Sequence, residues 1–352
     1  MSEFDHSRPE TIGILLTNLG TPKSATKKDV RIYLKEFLSD QRVIKMSKIL
    51  WWPILNLVIL NTRPKRSAKA YAKVWTDDGS PLLSIAKQQT VALQSAFGDA
   101  PVKVVLAMRY GSPSISQGLT DLRKAGARKI LVFPLYPQYS ATTTASTFDA
   151  VASALKTENW LPELRFINHY HDNASYIKAL ADSVRTHWQQ NGQAEKLLMS
   201  FHGIPQEYFT DGDPYHCECQ KTGRLLAEEL QLEKSQWLLT FQSRLGPKQW
   251  LKPYTDESLK QLGAEGIQSL DVICPGFSTD CLETLEEMVM ENRNIFMAAG
   301  GQQYSYIDCL NASSQHISTL QKIAQNHIQG WNFPPTEVDL VERQGHADSI
   351  KG

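Results

Sequence analysis

Apolar positions along the chain follow two rhythms. Short runs rich in β-branched residues (TIGILLTN, VKVVLAM, KILVFPLY, LRFIN, KLLMSFH, WLLTFQS and IQSLDVICP) alternate with stretches whose apolar residues recur at helical spacing. The runs predict strands, and the stretches between them predict helices over Lys27–Leu38, Leu82–Phe97, Ala141–Lys156, Ala174–Gln190 and Thr222–Leu230. TKKD from Thr26 reads as a capping box for the first helix. Strand–helix alternation requires crossover connections, so the sheets should be parallel and covered by helices. One segment, ILVFPLYPQYSATTTASTFDAV, has an echo further on in LDVICPGFSTDCLETLEEMV: apolar strand, proline, hydroxyl-bearing loop, helix. That repetition predicts an α/β protein of two similar Rossmann-like lobes, each a parallel sheet flanked by helices, with the active-site cleft between them. The boundaries read as a first lobe over 10–165, a second over 166–305, a C-terminal helix over 306–330 packing back on the first lobe, and a polar, loosely ordered tail over 331–352. The linker falls near NHYHDN, Asn168 to Asn173.

One stretch breaks the pattern. ILWWPILNLVIL, Ile49 to Leu60, is apolar except for Pro53 and Asn56 and has Lys45, Lys48, Arg63, Lys65 and Arg66 on its flanks. A helix of that length reaches about 18 Å against a hydrocarbon thickness of about 30 Å, so it cannot span a bilayer. Pro53 should interrupt the helix near its start. A buried helical hairpin and an exposed lip over 44–62 both fit; basic flanks suit a lip that dips into a headgroup layer or receives an apolar ligand bearing carboxylates.

Composition narrows the classes. With 352 residues and 41% apolar content the chain can bury a large core, and 37 basic residues balance 37 acidic ones. No long basic run offers a nucleic-acid footprint. MSEFDHSRPE has no apolar signal core and is not an Arg-rich transit sequence, so a cytoplasmic protein is expected. Five unevenly spaced cysteines then predict free thiols.

In open α/β sheets ligands bind beyond the carboxyl ends of the strands. Those ends carry Arg109 and Tyr110, Tyr136 and Tyr139, His202, and Asp280. A lone strand-end histidine such as His202 is most often structural. Its companion raises the stakes: in STDCLETLEEMVME the carboxylates Asp280, Glu283, Glu287 and Glu291 fall at spacings that place them on one helical face. Such a file is either a solvated acidic face or a path for a hard divalent cation in one direction and protons in the other. HCEC, with Cys217 and Cys219, matches neither zinc-ribbon nor ferredoxin spacing. His169 and His171 read as linker.

Taken in order, LLTNLGTP, YAKVWTDDGSPLL, MRYGSPS, FPLYPQYSATTTAS, SFHGIP, TFQSRLGPKQWLKPYTDE and CPGFSTDCLETLEE closely resemble the ferrochelatase family, from about Ile12 to about Leu310. The resemblance implies a lyase that inserts ferrous iron into protoporphyrin IX in the terminal step of haem synthesis. It implies that His202 and Glu283 face each other across the porphyrin and bind the metal. It puts the propionate contacts at Arg63, Tyr71 and Ser80, with Arg109 and Tyr110 lining the same pocket and Trp250 as an apolar wall. Asp280, Glu287 and Glu291 would form a secondary metal or proton path. Which of His202 and Glu283 takes protons and which delivers iron stays open.

By the same resemblance, an apolar lip of Trp51, Trp52, Ile54, Leu55 and Leu57 is expected at the cleft mouth, with peripheral contact to the cytoplasmic face of the inner membrane. No prosthetic group is expected. The animal-type iron–sulfur cluster is excluded, because Ala141 follows YPQYS and no cysteine lies beyond Cys309; an unusual site at Cys217 and Cys219 stays open. The rivals are a solute-binding module, which usually carries a secretory signal, and a sister chelatase that loads cobalt or nickel into another tetrapyrrole.

Overall fold

The structure, a computed structural model, describes residues 9–244, 246–331 and 337–351. Among the described residues, eight strands form two four-stranded sheets, parallel throughout. β1 (Thr11–Gly20), β2 (Val102–Tyr110), β3 (Ala127–Pro134) and β4 (Glu163–Phe166) lie in the order β2-β1-β3-β4. β5 (Lys196–His202), β6 (Trp237–Gln242), β7 (Ser269–Ile273) and β8 (Gln303–Ile307) lie in the order β6-β5-β7-β8, the same winding repeated. β1 is buried along almost its whole length, which is why TIGILLTN shows no polar alternation.

The helices are α1 (Lys27–Leu38), α2 (Lys48–Pro53), α3 (Leu60–Val74), α4 (Pro81–Ala96), α5 (Ile115–Lys124), α6 (Ser146–Leu155) and α7 (Ala174–Asn191). They continue with α8 (Gln206–Thr210), α9 (Tyr215–Glu229), α10 (Thr255–Ala264), α11 (Arg293–Ala298), α12 (Ser314–His327) and α13 (Glu337–Lys351). Thr26 caps α1 by accepting the Asp29 N–H, but the box is only half made, because the Asp29 carboxylate takes the Ser24 hydroxyl at 2.6 Å. The two sheets share a core: Leu16 and Phe133 from one, Met199 and Phe201 from the other, and Tyr176 and Leu180 of α7 belong to one apolar cluster. α12 packs on both α4 and α7.

Four expectations need correction. The helix placed over Thr222–Leu230 begins at Tyr215 and takes in HCEC, with Glu218, Cys219, Thr222 and Leu226 on its buried side. β8 was not expected; as an edge strand that, among the described residues, pairs with β7 alone, it carries the polar-rich run QYSYI, and it crosses the division drawn at 305/306. Within the tail, Glu337–Lys351 is helical and Arg343 pairs with Glu10 at 2.9 Å, while 332–336 and 352 lie outside the described residues. Finally, Pro53 does not stop its helix. The chain widens into a π-helical turn over Ile54–Ile59 and runs on into α3, so 48–74 is one helical rod.

A second π-helical segment, Ala141–Ala145, follows β3, and a third, Glu283–Asn292, follows β7. β3 and β7 hold equivalent places in their sheets, which accounts for the echo in the sequence.

Candidate active site

The carboxyl ends of β5 and β6 meet in register at His202 and Gln242. His202 Nδ1 lies 2.6 Å from the Gly203 carbonyl, so Nδ1 carries the hydrogen donated there and Nε2 is the ring nitrogen left for other partners. A Cβ on Gly203 would sit 2.8 Å from the Gln242 carbonyl and 3.2 Å from the Trp250 ring, so only glycine lets this strand end close against β6. The same contact places the Trp250 ring against Gly203, the residue after His202, next to the bridge Trp250 forms with Pro205.

Gln242 is oriented by Ser200, whose hydroxyl donates to its amide oxygen at 2.8 Å, and its Nε2 then donates to the Glu283 carbonyl at 2.9 Å and reaches Glu287 at 3.4 Å. Ser243, at φ 68, is held in the left-handed region, a strained conformation for a residue with a side chain. The strain lets its N–H donate to Glu287 Oε1 at 2.8 Å while its hydroxyl donates to Oε2. Burial, with the charge of Glu283 added, lifts the Glu287 carboxyl above the ordinary carboxylate range against the opposing pull of Ser243 and His202. Glu287 therefore stands within electrostatic reach of both proposed metal ligands. Neither Gln242 nor Ser243 was identified from the sequence; the only signal was their place at a strand end inside a distinctive motif.

The facing wall comes from α1, α3 and the β1 turn. Arg63 and Tyr71 on α3 and Tyr33 on α1 all feel the Glu283 charge. Burial depresses the Arg63 guanidinium, and Glu283 partly restores it; burial likewise drives Tyr33 and Tyr71 upward, so both phenols stay protonated. The wall is tied directly to the acidic helix: Lys73 pairs with Glu286 at 2.6 Å, and Leu282 packs in the cluster of Tyr33 and Tyr71. Ser80 is buried and accepts the Thr21 hydroxyl at 2.8 Å, and Thr21 also reaches Tyr71. Thr21, missed in the sequence, thus joins Ser80 to Tyr71. Gly20 makes this geometry, since at φ +114 a Cβ would lie 1.8 Å from the Tyr110 carbonyl.

Several expected residues stand elsewhere. Asp280 does not join the file: its carboxylate accepts Thr284 and Tyr306 hydroxyls at 2.8 Å each, the Asn311 amide at 2.7 Å and the Cys309 N–H at 3.2 Å. It precedes the helix, whose first residue is Glu283, and serves as a buried brace. Glu283, Glu287 and Glu291 remain along the helix, with Glu291 exposed. Tyr110 is turned into the core rather than to an open surface. It is fully buried, its hydroxyl donating to Asp40 at 2.8 Å, and Arg109 pairs with the same carboxylate at 2.6 Å. Burial would raise the Asp40 carboxyl, but Ser146, the Arg42 N–H, Tyr110 and Arg109 outweigh it and bring it below the usual value.

The lip also differs in membership. Leu55 is buried and Trp51 is anchored by donating to the Leu38 carbonyl at 2.6 Å, whereas Ile49, Leu50, Trp52, Leu57 and Val58 are exposed. No described helix is long and apolar enough to cross a membrane. Cys217 is exposed and Cys219 buried, so two residues apart on α9 they face opposite ways. A hollow of about 410 Å³ bordered by Lys252, Tyr254, Glu257 and Gln261 has none of these groups in its lining.

The sequence model of the ferrochelatase family matches residues 11–328. Ferrochelatase of Thioalkalivibrio sulfidiphilus (strain HL-EbGR7) is 52% identical over 353 residues, covering 99% of this chain and 96% of that one. Ferrochelatase of Idiomarina loihiensis (strain ATCC BAA-735 / DSM 15497 / L2-TR) is 53% identical over 352 residues, with 99% and 96% covered. Among solved structures, SirB from Bacillus subtilis with Fe3+ superposes with a TM-score of 0.55 at 11% identity, covering 91% of this chain and 96% of that one. The sirohydrochlorin chelatase SirB of subspecies spizizenii, in complex with cobalt, superposes at 0.51 and 12% identity, covering 92% and 99%. At such identities these two carry the fold alone, the same two-lobed winding. Family match and close relatives together show that the chain belongs to the ferrochelatase family, the metal chelatases that place iron in a porphyrin for haem synthesis.

Proposed function

We propose that the chain inserts ferrous iron into protoporphyrin IX, with the ring held between α3 and the carboxyl ends of β5 and β6. The observation that supports this reading is that His202, its Nδ1 held by the Gly203 carbonyl, and Glu283 both act electrostatically on Glu287, a carboxylate whose pKa burial raises. A free-base porphyrin must lose two pyrrole protons as iron enters, and a flat ring exposes its nitrogen lone pairs poorly. Arg63, Tyr71 and Ser80 grip the propionate edge, so binding energy remote from the ring centre is spent on bending it. His202 Nε2 then accepts a pyrrole proton or ligates iron, and Glu283 supplies the opposing oxygen ligand or proton acceptor. Glu287 and exposed Glu291 continue the path to solvent, carrying cations in or protons out.

The exposed residues of the lip form the entrance for an apolar substrate and rest on the cytoplasmic face of the inner membrane, their basic flanks meeting anionic headgroups. The reading assigns no resident cofactor, and the opposed directions of Cys217 and Cys219 disfavour a cluster there.

The test is incubation with protoporphyrin IX or coproporphyrin and, separately, Fe2+, Co2+ or Ni2+, followed by the Soret band. Iron insertion into protoporphyrin should dominate, and His202→Ala and Glu283→Gln should each lose turnover while still binding porphyrin. Near-normal turnover by His202→Ala would move the metal elsewhere in the cleft, and a preference for cobalt or nickel would favour the sister-chelatase reading.

A further inference from the structure

Behind the cleft, at the seam where the first lobe passes into the second, three metal-ligating side chains converge. His169 and His171 lie between β4 and α7, and Glu218 projects from α9; one ligand atom from each lies within 4.8 Å of the others. His169 Nδ1 is 2.6 Å from Glu218 Oε1, and the two rings meet edge to face at 4.9 Å. Glu218 is 8% exposed, and its other oxygen accepts the Tyr139 N–H at 2.7 Å, from the loop that follows β3.

An ordinary histidine–carboxylate hydrogen bond accounts for His169. It does not account for His171, which is 7% exposed and points Nδ1 at Glu218 Oε2 from 3.3 Å without forming a hydrogen bond, so that a buried ring nitrogen has no partner. Native structures rarely leave such an atom unsatisfied, and the deficit typically costs about 1–3 kcal/mol. A cation between the two Nδ1 atoms and the carboxylate would satisfy all three at once. The opposite edge of His171 also faces a carboxylate, with Nε2 at 3.9 Å from Asp172, a charge near the ring but beyond hydrogen-bond distance. Access exists on one side: the His169 side chain is 49% exposed and borders a hollow of about 140 Å³ shared with Asp172 and His327.

We propose that His169, His171 and Glu218 bind one borderline divalent cation of the Zn2+ type, which clasps the interlobe linker to α9. Two imidazoles and one carboxylate suit such an ion and disfavour Mg2+ or Ca2+, which prefer all-oxygen shells. Water fills the remaining position on the exposed side. Because Glu218 also holds the Tyr139 amide, the ion fixes the linker against both lobes, apart from His202 and Glu283.

The test uses the full chain in a His202→Ala/Glu283→Gln background, which removes the cleft ligands. Zn2+ is titrated calorimetrically, and Co2+ is followed by its visible ligand-field bands. Adding His169→Ala, a change at a half-exposed side chain that the fold should tolerate, should remove one equivalent of Zn2+ and bleach the corresponding Co2+ bands. His171→Gln should do the same, and a large excess of Mg2+ should not compete. His169→Ala alone should retain iron insertion. The proposal is overturned if Zn2+ stoichiometry and Co2+ bands are unchanged by both substitutions, or if Mg2+ displaces the ion.

Discussion

His316, on the buried side of the first turn of α12, ties the C-terminal part of the chain to the ground on which Glu283 stands. Its Nδ1 lies 2.6 Å from the Asn311 carbonyl; Asn311 in turn braces Asp280, and Asp280 holds Thr284, the neighbour of Glu283. His316 is fully buried, its Nε2 has no hydrogen-bond partner, and burial presses its pKa down to about 4. The unfolded chain would titrate near 6.5. With the folded value below the unfolded one, the native state prefers the neutral ring. The stabilising contribution is complete above about pH 6.5 and is lost progressively as the pH falls toward 4. In that window the unfolded state binds one more proton, so stability drops by about 1.4 kcal/mol per pH unit, or about 2 kcal/mol between pH 7 and pH 5 from this residue alone. His316→Asn keeps a donor near Nδ1 for the Asn311 carbonyl but cannot titrate. Urea unfolding of both proteins at pH 7 and pH 5 should show the wild type losing about 2 kcal/mol more than the variant. Equal losses would refute the reasoning, because every other titrating group is common to both.

Other predictions bear on the cleft and its entrance. Leu50, Trp52 and Leu57, each more than half exposed, should tolerate joint replacement by Ser without a change in melting temperature, while vesicle co-sedimentation falls by roughly 10²- to 10³-fold from about 3–4 kcal/mol of lost apolar burial. Leu55→Ala, at a side chain 3% exposed, should instead destabilise by about 2–5 kcal/mol, and an unaffected melting curve would contradict its placement. Ser243→Ala removes a hydroxyl donor that pulls the Glu287 pKa down, so the acid limb of the kcat–pH profile should move to higher pH; an unmoved limb would exclude Glu287 from turnover. Ser80→Ala should weaken porphyrin binding, read by fluorescence quenching, by about 1 kcal/mol with little change in kcat.

The parallel architecture was legible because buried strands leave continuous apolar runs, and the repeated segment after β3 and β7 showed the winding twice. What stayed hidden depended on contacts rather than on period. QYSYI looks like loop because an edge strand carries polar residues, and Pro53 looked like a stop because the sequence does not show that a wider helical turn can absorb it. Asp280 fitted the acidic spacing, but a residue one turn before a helix begins does not obey that helix's geometry. Tyr110 and Asp40 found each other across the fold, a pairing with no local signature. Gln242 and Ser243 matter through a strained backbone and a borrowed orientation, neither of which composition records.

The rod over 48–74 has a further consequence as a lever. Its exposed end bears Ile49, Leu50 and Trp52, and on the same continuous helix it carries Arg63, Tyr71 and Lys73. From Ile54 to Arg63 the rise is only about 14 Å, too short for a stiff helix to move at one end without displacing the other. Lys73 anchors the far end to Glu286 in the acidic helix. On the proposed function, in which Arg63 and Tyr71 hold the substrate, a surface that covered the exposed end and tilted the rod would change the grip of the cleft. By thermodynamic reciprocity, a substrate so gripped would then change the hold of that surface by the same factor.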